Sequence, residues 1–155
     1  MSFRIAGLSP EPFRHLFGLD DDELKAHGAI RYVVDAAGGY PERIELRDAA
    51  PGETVLLVNY VHQPADTPYH SRYAVYVREH AERACEFHDE VPDVLHRRIV
   101  ALRAFDEEHM LIDADLATGD GIAPLIEHLF GNPGAAYLHA HYAKYGCYAA
   151  RIDRA

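Results

Sequence analysis

From Ala29 to Glu79, short apolar segments of strand length are divided by turn-rich connections too short to hold a crossover helix. The segments are Ala29–Asp35, Arg43–Asp48, Glu53–His62 and Tyr73–Glu79. Between them lie Gly38-Gly39-Tyr40-Pro41, Ala50-Pro51-Gly52 and Gln63–Ser71. Parallel neighbours need a connection of a dozen or more residues, usually helical, whereas antiparallel neighbours need only a tight turn. The pattern therefore excludes a doubly wound parallel sheet and predicts an α+β domain with a mostly antiparallel sheet. Apolar residues occupy both parities of Thr54–Val61, so that strand is expected inside the sheet with both faces covered.

The flanking segments add helices and more strands. Phe3 to Leu8 reads as an edge strand. Ser9-Pro10 is a helix-start signal, and Phe13, Leu16 and Phe17 share the face of the short helix that follows. Asp20 with Glu23 forms a capping-box signature for a helix ending at Gly28. His80–His96 is polar and is expected as loop or helical turns. Ile99–Phe105 and His109–Leu116 flank Asp106-Glu107-Glu108 as a hairpin. In its second strand Met110, Ile112, Ala114 and Leu116 alternate with polar residues. Ile122, Leu125, Ile126 and Leu129 follow helical spacing behind Asp120, and strands Ala135–Tyr142 and Cys147–Arg154 close the chain. The expectation is a single domain over residues 1–155, with about eight strands and two or three helices.

Composition limits the function. Fifteen Lys and Arg against 25 Asp and Glu leave a net charge of −10. Nucleic-acid binders neutralise phosphates with cations, so no nucleic-acid partner is expected. No apolar run approaches the ~18 residues of a membrane span and no secretory leader is evident, so no membrane partner is expected either. Two cysteines, Cys85 and Cys147, make no disulfide framework, which points to a reducing compartment, the cytoplasm.

The residues Gly39-Tyr40-Pro41-Glu42-Arg43, Pro51-Gly52-Glu53, Leu56-Leu57, Tyr60, His62, Pro68-Tyr69, Val77-Arg78-Glu79 and Gly146-Cys147-Tyr148 with Arg151 and Arg154 form a spaced pattern. It resembles a bacterial family, domain of unknown function 1203. The resemblance implies relatives but brings no activity, cofactor or catalytic residue with it. The chain departs from the family pattern at Glu42 and Ala150, where that pattern has cysteines, so a role needing those thiols would not carry over.

Among candidate chemistries, His139-Ala140-His141 is the most suggestive, because residues two apart in a strand share a face. A two-residue turn at Lys144-Tyr145 would set His141 opposite Tyr148 and His139 opposite Ala150. Two imidazoles on one face could take two positions on Zn or Fe, although such sites want three or four ligands. With eleven histidines in the chain, a structural pairing at a sheet surface is the plainer reading. Tyr60 and His62 share one face of the interior strand. Arg78, with Arg43 and Arg72, could converge on Pro68-Tyr69 as an anion pocket, against the simpler reading of surface ion pairs. Cys147 falls on the face away from the histidines and reads as an inert buried thiol. The ligand-binding candidates are thus Tyr60, His62, Tyr69, Arg78 and Tyr148, with His139 and His141 as metal candidates. Two functions fit: a small-molecule-binding or catalytic domain with a His/Tyr-lined pocket, or an interaction module, a homodimer through its tyrosines.

Overall fold

The computed structural model describes residues 1–155 as two sheets and three α-helices. The strands are β1 (Phe3–Ala6), β2 (Ile30–Val33), β3 (Pro41–Glu42), β4 (Arg47–Asp48), β5 (Thr54–Gln63), β6 (Ser71–Arg78), β7 (Glu86–His88), β8 (Ile99–Phe105), β9 (Leu111–Thr118), β10 (Tyr137–Tyr142) and β11 (Tyr148–Arg154). The helices are α1 (Asp21–Ala26), α2 (Asp93–His96) and α3 (Ile122–Phe130). One sheet runs β7-β1-β11-β10-β8-β9 and every pairing in it is antiparallel. The other runs β2-β5-β6-β3-β4 and is antiparallel except where β3 lies parallel to β6. The α+β class and its dominant antiparallel pairing are as the turn spacing required.

Each sheet buries one face in its own core. α3 carries Ile122, Ile126 and Leu129 down one side, as its helical spacing dictates, against Val100, Leu102 and Ala104 of β8 and Leu138 of β10. Each such aliphatic side chain contributes about 1.5–3 kcal/mol by leaving water. Asp120 does not cap this helix; it lies in a 3-10 turn ahead of it and bonds His96. The second core gathers Leu56 and Val58 of β5, Val75 and Val77 of β6, and Leu24 of α1. Phe13 and Leu16, from the 3-10 turn Glu11–Leu16, complete it. The predicted capping box is formed: Asp20 accepts from Glu23 N–H, and Glu23 accepts from Asp20 N–H. Tyr148 of β11 crosses into this second core, so the sheets meet there.

Three local expectations need correction. β1 is an interior strand, because His80–His96, read as loop or helical turns, contributes the short strand β7 on its outer side as well as α2. Gly7 then passes so close to Ile44 that a Cβ on it would stand 2.0 Å from the Ile44 carbonyl oxygen. Arg43–Asp48 is not one strand: residues 43–46 form a turn and only Arg47–Asp48 pairs, as β4. The buried Glu42 carboxylate accepts the N–H groups of Ile44 and Glu45, 2.8 and 2.5 Å away, and holds a turn between β3 and β4. Finally, the alternation in β9 buries little, since β9 is an edge and leaves Ile112 and Leu116 exposed. No helix is long and apolar enough to cross a membrane.

Candidate functional site

β10 is buried along its whole length, and its period-two pattern divides cleanly. Leu138, Ala140 and Tyr142 enter the α3 core, while Tyr137, His139 and His141 face the other sheet. The flanking strands set their neighbours: Phe105 and Arg103 of β8 lie opposite Tyr137 and His139, and Tyr148 of β11 lies opposite His141. A bulge between Ala140 and His141 shifts the rest of β11, so His139 faces Arg151 rather than Ala150. That bulge follows from a four-residue loop, Ala143 to Gly146, in place of the two-residue turn expected. Tyr142 N–H closes it on the Cys147 carbonyl, and Gly146 takes a left-handed φ of 77°.

From the opposite sheet, β5 continues its inward parity through Leu56 and Val58 to Tyr60 and His62. A second bulge at Val61–Gln63 turns Gln63 inward beside His62. The imidazoles of His62, His139 and His141 consequently converge, with ring centroids 5.0 Å (His62–His141), 6.3 Å (His62–His139) and 6.4 Å (His139–His141) apart. Tyr148 packs against all three and stacks on His62 at 5.4 Å and 14°. Tyr60 backs Tyr148 at 5.9 Å.

A cleft of about 90 Å³ opens among His62, His139, His141, Arg103, Phe105, Gln63, Tyr69, Ser71 and Leu111. It shares His62, Gln63 and His139 with a neighbouring hollow of about 210 Å³ that reaches Tyr137, His109 and Arg151. Neither is lined by an Asp or Glu.

Burial keeps the rings neutral. Desolvation, reinforced by neighbouring His141, His62, Arg151 and Arg103, lowers the His139 pKa to about 3. Desolvation also lowers His141 to about 4, despite the Gly146 carbonyl that accepts from its Nδ1 at 3.0 Å. His62 is lowered by burial and then by Arg103. With Nδ1 of His141 protonated, its Nε2 lone pair faces Arg103 Nη1 at 3.4 Å. The Nδ1 atoms of His62 and His139 are buried without a partner. Tyr137 OH accepts from Gln63 Nε2 at 3.0 Å and is hydrogen-bonded to His109 Nδ1 at 2.7 Å. His109 reaches it from the β8–β9 turn with φ 62°, a conformation that histidine tolerates better than most residues.

Of the candidates read from sequence, Tyr60, His62, Tyr69, His139, His141 and Tyr148 come together here. Tyr69 does so at the cleft wall, its ring edge against Phe105 at 6.2 Å. Arg78 does not. Its guanidinium is engaged by Glu45 beside Glu53, in a network with Arg47. Arg43 and Arg72 diverge from it as well: Arg43 is buried on the Tyr148 and Pro41 carbonyls and the Cys147 sulfur, and Arg72 bonds Asn59. The anion pocket expected around Pro68-Tyr69 is therefore not assembled from those three.

No group of three or more His, Cys, Asp or Glu side chains is arranged to hold a metal ion. The Arg103 charge beside His141 Nε2 also opposes a cation there. Arg103 itself was missed, although the signal was present: it is the one charge within the apolar Ile99–Phe105.

No curated protein and no solved structure matches the chain. Residues 39–154, well over half of it, match the family described as "Protein of unknown function (DUF1203)", and the chain belongs to that family.

Proposed function

We propose that this protein is a small-molecule-binding or catalytic domain whose site is the His/Tyr-lined cleft between the two sheets. The observation that carries the reading is the pair of unpartnered imidazole nitrogens, Nδ1 of His62 and of His139, buried in rings that line the cleft. A buried polar atom without a partner costs about 1–3 kcal/mol, a penalty that a ligand able to bond both nitrogens would relieve. Three neutral rings act as hydrogen-bonding or proton-accepting groups rather than as cations. The cleft is below the ~300 Å³ at which drug-sized ligands begin, so the ligand is compact. A reducing, cytoplasmic setting belongs to the same proposal and is supported by the unbridged thiols of Cys85 and Cys147.

Native mass spectrometry of protein purified without chelators or tags tests this, alongside histidine-detected NMR against a mixture of small polar fragments. The expected result is a retained mass, or fragments that shift the His139 and His141 resonances, and its loss in His139→Ala. A bare mass together with unmoved resonances in the wild-type protein overturns it.

A second reading, a homodimer, is supported by one feature outside the cleft. Tyr32, Tyr40 and Tyr76 cluster with ring centroids 5.4–6.4 Å apart, beside the unpaired edge of β2 where Ile30 and Val33 are exposed. Light scattering should then report a dimer that Tyr32→Glu dissociates; a monomer at every concentration removes this reading.

A further inference from the structure

Arg103 is a half-buried guanidinium in a chain rich in acids, yet it forms no ion pair. Its only hydrogen-bond partner is the Nε2 of neutral His141, at 3.4 Å. The other arginine of the site, Arg151, is matched by Asp153 at 2.9 Å and lies over the Tyr137 ring. The other polar side chains of the cleft, Ser71 and Gln63, carry no charge to match it. Ser71 donates to the Tyr69 carbonyl, while Gln63 bonds Tyr137 OH and Ala65 N–H, and neither side chain accepts a hydrogen bond from Arg103. The lining thus holds a cationic fork and no anion, with the Nδ1 positions of His62 and His139 free to present N–H by choice of tautomer. His139, only 4% exposed, sits directly across the strand pair from Arg103.

We propose that the ligand of this cleft is a compact monocarboxylate, its carboxylate seated on Arg103 and the imidazole of His139. The inference rests on the small-molecule reading above and names the ligand class. A single unpaired positive charge calls for a single negative one. The planar fork of arginine matches a carboxylate bidentately. Lining that holds no Asp or Glu, in a protein of net charge −10, leaves an opening where an anion is not repelled at close range. The remainder of the ligand extends past His62 and His139 into the adjoining hollow, against Tyr137.

The test is an NMR titration of the full chain at pH 7.5 and constant ionic strength, following the His139 and His141 ring resonances, with acetate, acetamide and inorganic phosphate as probes. Acetate should give a saturable shift and acetamide at least a tenfold weaker one. Arg103→Met should weaken acetate at least tenfold, while Arg103→Lys recovers part of the response. Should Arg103→Met fail to fold, the contrast between acetate and acetamide in the wild-type protein still decides the matter. Equal binding of acetate and acetamide overturns the carboxylate assignment and leaves the small-molecule reading standing. Phosphate binding in preference to acetate likewise overturns the monocarboxylate class. Silence from all three probes, with no fragment active in the mixture above, removes both.

Discussion

Acidification from pH 7.5 to pH 5 should destabilise the fold through His139 and His141. In the unfolded chain each imidazole has a pKa near ~6.5 and is almost wholly protonated at pH 5. In the fold the rings stand at about 3 and about 4, and both remain neutral. The unfolded state therefore binds more protons, and stability rises with pH. It is complete above ~6.5, declines as pH falls below that value, and levels off only beneath the folded values. By linkage each ring costs about 2 kcal/mol at pH 5, about 4 kcal/mol for the pair, a large part of the ~5–15 kcal/mol typical of a domain. Glu53 and Glu79, both lowered to about 2 by their arginine partners, titrate below this window. Glu42, raised by burial, works in the opposite direction and offsets part of the loss. Calorimetry should show the melting temperature falling by roughly 10 °C between the two pH values. The double variant His139→Gln/His141→Gln should remove most of that dependence. A wild-type change of less than about 1 kcal/mol, or a double variant that keeps the full dependence, would refute the claim that these rings are buried neutral.

Other outcomes follow from the same contacts. Glu79 accepts from Arg31 at 2.6 Å, Gly18 N–H at 2.9 Å and Thr54 Oγ1 at 2.8 Å, so Glu79→Gln should cost about 3 kcal/mol in urea denaturation. It should also flatten the acid limb, because the Glu79 contribution is present above ~4.5 and lost as pH falls toward 2. Gly7→Ala should destabilise by at least about 1–3 kcal/mol, since the Ile44 carbonyl must move away; an unchanged urea midpoint would contradict the close approach. Asp113 and Asp115 sit on the exposed edge strand β9, each accepting from the N–H of the next residue. Asp113→Thr/Asp115→Thr should promote concentration-dependent association by light scattering, because the charges that discourage edge pairing are gone; a persistent monomer would argue against that guarding role.

Much of the architecture was legible because it depends on local chemistry. The Asp20–Glu23 capping box, the Ile122–Leu129 stripe and the Ile99–Phe105 strand arise from neighbours in the chain, whose periodicity encodes which side is buried. Two residues apart in a strand is enough to put His139 and His141 on one face, and Tyr60 with His62 likewise. Where sequence reasoning erred, a distant or backbone-specific contact prevailed. Arg43–Asp48 has strand-like composition, but the Glu42 carboxylate captures its amides. Arg78 has the chemistry of an anion anchor, but Glu45 already occupies it.

The residues by themselves determined an antiparallel α+β chain, a His-x-His face and an interior strand bearing Tyr60 and His62, since each follows from turn length and the period-two geometry of strands. Only the tertiary structure decided that these two faces look at each other, and that Arg103 stands between them without a carboxylate. The joining of β5 to β10 spans more than seventy positions of chain and depends on how two separate cores pack, with Tyr148 lodged where they meet. No local pattern records that packing, because the free energy that selects it comes from surfaces buried between segments that have no sequence proximity.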